Sequence, residues 1–153
     1  MSDELNPAEH AAAIEETRQK LIDFAGRCTE AQWKTAPVAG DPRSVGVITD
    51  HIADAYEYLG GWMKEIVAGG SPEVNGELVD DLNAEHAAEA AKITPAEAIE
   101  HLRTSGDALI ALVGSLDQAQ LALGDGRVAT FAVIAARHAR NHREEIEAAL
   151  GDV

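Results

Sequence analysis

His138 and His142 stand four residues apart in the run from Arg137 to Leu150. At about 3.6 residues per turn, positions i and i+4 of a helix share one face, so both imidazoles can reach a common point. The apolar stripe of the same segment reads Phe131, Ile134, Ala135, Ile146 and Ala149. Both histidines lie in line with it, which turns them toward the interior. A buried imidazole has ring nitrogens that need partners, and a metal ion would satisfy both rings at once. The spacing alone is a weak motif. With six histidines in 153 residues, a chance i, i+4 pair arises in roughly one such sequence in five. The plain alternative is a polar helix end carrying two solvated histidines.

A third histidine makes the metal reading the stronger one. His51 falls on the inward stripe Ile48, His51, Ala55, Tyr58, Trp62 and Ile66 of an earlier helix. If the two helices are neighbours, three neutral imidazoles form a facial ligand set for zinc, nickel or another first-row divalent ion. Three protein ligands with an open position is the catalytic arrangement, whereas structural zinc sites are closed by four. Such a metal lowers the pKa of a bound water or thiol and so yields a nucleophile near neutral pH. Asp54, one turn after His51, could orient a ligand ring or a bound water. Asp50 and Glu57 point elsewhere on that helix and are expected in solvent. Metal affinity is expected to fall below about pH 6.5, where free imidazoles protonate.

The elements that must position these residues follow from caps and periodicity. Asn6-Pro7-Ala8-Glu9 is a helix start, and Ile14, Leu21 and Phe24 carry that helix to about Arg27. His10 is a residue of the bundle end. Residues 28–43 form a connection, with Trp33 packing over an open end. Ser44 caps the helix of His51, which runs to about Ala68 and stops at Gly69-Gly70-Ser71-Pro72. A weaker helical piece, Glu77 to Ala91, lies across the domain. On it Asn83 and His86 are candidates for a cofactor-binding pocket mouth, or else surface positions. Thr94-Pro95-Ala96-Glu97 opens a further helix through Ile99, Leu102, Leu109, Val113 and Leu116. A loop at about 117–127, turning at Gly124-Asp125-Gly126, leads into the last helix, closed by Gly151. The expectation is all-α: one domain over 1–153, a four-helix bundle of up-and-down or crossover type, with one extra short helix between the second and third long helices.

Composition narrows the function. The net charge of −15 argues against nucleic acid and anionic membrane surfaces, which need clustered cations. Arg137, Arg140 and Arg143 do sit together, but Glu144, Glu145 and Glu147 follow, as on a solvated face of mixed charge. Cys28 is the only cysteine, which fits a reducing compartment. The N-terminus lacks the pattern of a signal peptide and no apolar run approaches membrane-spanning length, so the cytoplasm is the expected location. Alanine-rich helix faces permit a homodimer. Aromatic content of 4% leaves few stacking residues for a large flat ligand and favours a small substrate or none.

The segment from Ser44 to Asp54, with its Asp50-His51-Ile52-Ala53-Asp54 core, resembles the opening of the second helix in DinB-like proteins. There a Trp-Ser-Val-like start leads into a His-Leu-Ala-Asp-like run. The late pair His138 and His142 is similar to that family's other metal-binding segment. The helix order, including Asn83-Ala84-Glu85-His86, agrees over nearly the whole chain. Arg43 stands where the family usually has Trp. The resemblance implies a four-helix bundle, often dimeric, with a divalent metal held by His51, His138 and His142. The wider superfamily includes mycothiol-dependent maleylpyruvate isomerases, bacillithiol transferases and metal-dependent hydrolases. A shared site does not fix a reaction. The leading expectation is a metal-dependent enzyme on a small molecule, a transferase or isomerase dependent on a low-molecular-weight thiol such as mycothiol or bacillithiol. One alternative is a hydrolase using metal-bound water, with Asp54 accepting the proton. Another is a non-catalytic metal- or ligand-binding dimeric bundle.

Overall fold

Capping boxes set the helix starts. Asn6 Oδ1 accepts the Glu9 amide at 2.8 Å, and Glu9 Oε1 accepts the Asn6 amide at 3.0 Å. In the computed structural model, which describes residues 4–151, this cap opens α1 (Pro7–Arg27). The outermost residues of the expected 1–153 domain, 1–3 and 152–153, lie outside the described residues, as does the start of the N-terminal segment read above. Ser44 caps α3 (Val45–Val67), Asn75 caps α4 (Gly76–Glu89) and Thr94 caps α5 (Pro95–Ser115). The last helix, α7 (Arg127–Leu150), begins after Gly124, Asp125 and Gly126, all three left-handed, and ends at left-handed Gly151.

Two single-turn helices occupy stretches expected to be loops. They are α2 (Glu30–Lys34), capped by Thr29 with Gln32, and α6 (Gln118–Leu121), capped by Asp117 with Gln120. Each is too short for a hydrophobic period, and the S/T/D-x-x-Q capping pattern is its only trace in sequence.

The long helices form a ring in which α1 and α3 each pack against α5 and α7. Residues 50, 57 and 60 of α3 meet residues 101, 105 and 109 of α5 in ascending order, so these two run parallel. Arg18 meets Arg103 and Asp107 while Ala11 meets Gly114, so α1 and α5 are antiparallel. His51 faces His138 while Ile66 faces Gly124, so α3 and α7 are antiparallel too. The bundle is therefore of crossover type: the links from α1 to α3 and from α5 to α7 cross between diagonal members. No described helix is long and apolar enough to cross a membrane.

Helix α3 is the central member. Every residue from Val45 to Ala53 is buried, because α2 and α4 cover the faces that α5 and α7 leave open. A helix enclosed on all sides has no polar face, and this decides the fate of Asp50 below. Trp33, only 4% exposed, closes the end where α3 and α5 begin. Its indole lies on Gly46 and Nε1–H donates to the Ile93 carbonyl at 2.9 Å. A Cβ on Gly46 would stand 2.6 Å from that nitrogen. Gly46→Ala is therefore expected to lower stability by about 1–3 kcal/mol despite alanine's better helix propensity. A urea midpoint equal to or above that of the parent would refute this packing.

Candidate metal centre

His51 comes from the first half of α3, and His138 and His142 from successive turns of α7. The antiparallel packing of the two helices brings them together. Nε2 of His138 lies 3.3 Å from Nε2 of His51 and 2.9 Å from Nε2 of His142. One ligand atom from each ring falls within 4.8 Å of the others. Nitrogen donors about 2.0–2.1 Å from one cation stand roughly 2.9–3.4 Å apart for right-angle to tetrahedral geometry. The two closest separations fall in that range. His51 is 2% exposed, whereas His138 and His142 are half-buried on the flank of the α7 stripe. The cluster thus has a dry wall and an open side.

The chemistry of the donors fits a cation better than it fits hydrogen bonding. A neutral Nε2 of His138 offers one N–H or one lone pair, so it cannot answer both neighbours well. Nδ1 of His51 and Nδ1 of His142 are buried without a hydrogen-bond partner; Glu145 approaches the latter only to 3.6 Å. Protonation is no remedy. Burial, then the neighbouring rings His138 and His142, push His51 down to about 2. Burial, then His142 and Arg43, push His138 down to about 4. Burial and Arg43 also lower His142. Three neutral, converging imidazoles are a ligand set that could hold a metal.

Arg43 acts on all three rings through its charge. Asp41 restrains it with a two-pronged ion pair, 3.0 Å from Nε and 2.8 Å from Nη2 to Oδ2. The Arg43 hydrogen bond holds the Asp41 carboxyl below its ordinary range. Arg43 is thus an electrostatic neighbour of the site.

The other candidates fall around this centre. Asp54 is half-buried, burial raises its pKa, and among the described residues it makes no hydrogen bond to the three rings. Asn83 is half-buried and lines a shallow cleft with Asp41 and Arg43. His86 is 5% exposed, its ring centroid 6.0 Å from that of His51.

The expectation that Asp50 is solvated is overturned. Asp50 is 3% exposed, and its two oxygens accept from His86 Nε2 and His101 Nδ1, each at 2.7 Å. His101 Nε2 donates to Glu57 Oε1 at 2.8 Å, and Ser105 Oγ donates to the same oxygen at 3.1 Å. Glu57 is exposed as expected but engaged. This chain of hydrogen bonds ties α4, α3 and α5 together beside His51. His101 went unnoticed in the sequence. Its trace there is a His101/Ser105 pair at i, i+4 opposite an Asp50/Glu57 pair at i, i+7, legible only once α3 and α5 are known to be neighbours.

The network makes stability depend on pH. His101 donates from both nitrogens and is an imidazolium. The Asp50 hydrogen bond, against burial and aided by Glu57, raises it from 6.5 to about 9. Its contribution is full below 6.5 and is lost as pH rises through about 9. Burial pushes the Asp50 carboxyl up, but hydrogen bonds from His101 and His86 outweigh it and hold the group below its ordinary 3.8. That contribution is lost as pH falls through the lowered value. The network is strongest between about pH 4 and 6.5. The urea midpoint is expected to fall from pH 6.5 to 9, and His101→Gln to flatten that slope; an unchanged slope would refute the assignment.

A helical bundle with a three-histidine centre between its second and fourth long helices is the class that fold and site define. The sequence profile of the DinB superfamily matches residues 13–146, and the chain belongs to that superfamily. A comparison with curated proteins returned no match.

Proposed function

We propose that this protein is a metal-dependent enzyme acting on a small molecule, with His51, His138 and His142 holding a first-row divalent cation, zinc or nickel by donor type. The observation that carries this reading is the convergence of three imidazole nitrogens on the open side of the bundle, next to a cavity of about 290 Å³ that His138 also lines. A bound cation would supply Lewis acidity, lowering the pKa of a thiol or water. His51 anchors the site from the core, and the half-buried His138 and His142 form its outer side. Transfer or isomerisation dependent on a low-molecular-weight thiol, such as mycothiol or bacillithiol, is the favoured chemistry, on the strength of the superfamily's thiol-dependent members.

Hydrolysis is the second reading, and one observation favours it. His86 Nε2 lies 2.7 Å from Asp50, and its Nδ1 is buried without a partner, on a ring whose centroid is 6.0 Å from that of His51. His86 Nδ1 is therefore a second polar group, beside Asp54, that could meet a metal-bound water. Cobalt-substituted protein separates the two. A visible spectrum perturbed by millimolar thiol supports the thiol reading. An unperturbed spectrum, with ester turnover that needs no thiol and is lost in His51→Ala, replaces it with the hydrolase.

A further inference from the structure

The six aromatic residues of Phe, Trp and Tyr divide into two sets of three. Phe24, Trp33 and Tyr56 are core residues. Tyr58, Trp62 and Phe131 line the cavity beside His138, Phe131 being itself a core residue and the other two half-buried against the core, with ring centroids 5.0 Å apart for Tyr58 and Trp62 and 5.6 Å apart for Trp62 and Phe131. A chain poor in aromatics has spent half of them on one cavity wall.

The rim of this cavity is polar at one place. Arg137 and Asn141 both line it and lie at i, i+4 on α7, forming a row beside the His138 and His142 row. The chain carries 27 acidic residues against 12 basic ones, yet Arg137 makes no ion pair among the described residues, while neighbouring Arg143 pairs with Glu147. An exposed, unpaired arginine means little by itself. Here it lines the same cavity as the aromatic residues, with an amide one turn away, while the guanidinium that lies over Phe131, at 5.6 Å, is that of Arg127. A guanidinium offers a planar fork that matches a carboxylate.

We propose that the cavity beside His138 binds a compact aromatic carboxylate, its ring against Trp62 and Phe131 and its carboxylate on Arg137 and Asn141. The volume of about 290 Å³ is roughly twice the ~150 Å³ known to admit benzene. It has room for one ring and a short acid arm. The acidic surface repels anions at long range, so recognition rests on this local cation and on burial of the ring. As a substrate site the cavity rests on the metal-dependent reading above; as a binding site it does not.

The test titrates the full chain, metal-free and after zinc addition with zinc content measured, with 3-phenylpropionate. 3-Phenylpropanol and phenyl phosphate serve as controls. The readout is the indole N–H resonance of Trp62, assigned with Trp62→Phe, against buried Trp33 as internal reference. Saturable movement of the Trp62 signal alone is expected with the carboxylate, weakened about tenfold in Arg137→Gln and less in Arg137→Lys. A stationary Trp62 signal at ten millimolar would overturn the proposal, and so would equal binding of the alcohol, tighter binding of the phosphate, or an unchanged affinity in Arg137→Gln. Carboxylate binding in a protein that takes up no zinc upholds the cavity and fails the metal reading. Zinc uptake without carboxylate binding fails the cavity alone.

Discussion

The His138→Ala/His142→Ala double variant is expected to hold no divalent cation, whereas the parent purified without a polyhistidine tag carries close to one per chain. Partners one shell removed from a metal are worth about 10–100-fold in affinity, so loss of two direct ligands should cost more than about 10³-fold. His51 alone, 2% exposed, has no other His, Cys, Asp or Glu of the described residues converging with it in a group of three. Elemental analysis of both proteins, with circular dichroism to show that both are folded, decides the point. A parent that contains no metal and takes up none from zinc, nickel or manganese would sink the metal reading. The pH profile is a second discriminator, and it departs from the profile of free histidine. Protons compete only below the pKa of the metal-free ligands. Burial and the neighbouring rings hold His138 at about 4 and His51 at about 2. These two therefore stay neutral well below pH 6.5, and burial and Arg43 lower His142 as well. Most of the release is expected near pH 4 and below, and a full release centred on 6.5 would refute the burial of the ligand set.

The caps made the fold legible: Asn6, Ser44 and Thr94 open three of the four long helices where the sequence places them, and Gly151 closes the fourth. The ligand triad was legible for a related reason, since three histidines on two apolar stripes carry an energetic contradiction that a reader of the sequence can see. What stayed hidden depends on which helices touch. Asp50 reads as solvated under the assumption that a helix buries a single stripe, and α3 buries its whole first half under α2 and α4. Nothing local marks His101, because its partners sit on a helix whose adjacency the sequence does not encode. The aromatic wall was obscured by composition itself: a low total says nothing of where the few residues gather.

Asp50→Ala is expected to cost about 3–5 kcal/mol, the range for removing one partner of a buried, hydrogen-bonded charge pair. The carboxylate is the sole hydrogen-bond acceptor for His86 Nε2, and His86 Nδ1 already lacks a partner. The variant would therefore leave a ring that is 5% exposed with neither nitrogen satisfied. His101 would keep only Glu57. Helix α4 packs chiefly on α3, so its docking should fail first, seen as faster amide exchange over 76–89 at urea concentrations that leave the rest folded. Asp50→Asn preserves one acceptor oxygen and should fall between the two. Because Asp50 precedes His51 directly, loosening it should also cost metal affinity without touching a ligand. Loss of stability with unchanged affinity would confine Asp50 to the fold. Loss of both in proportion would make the Asp50–His86–His101 chain the support that holds the buried ligand in place.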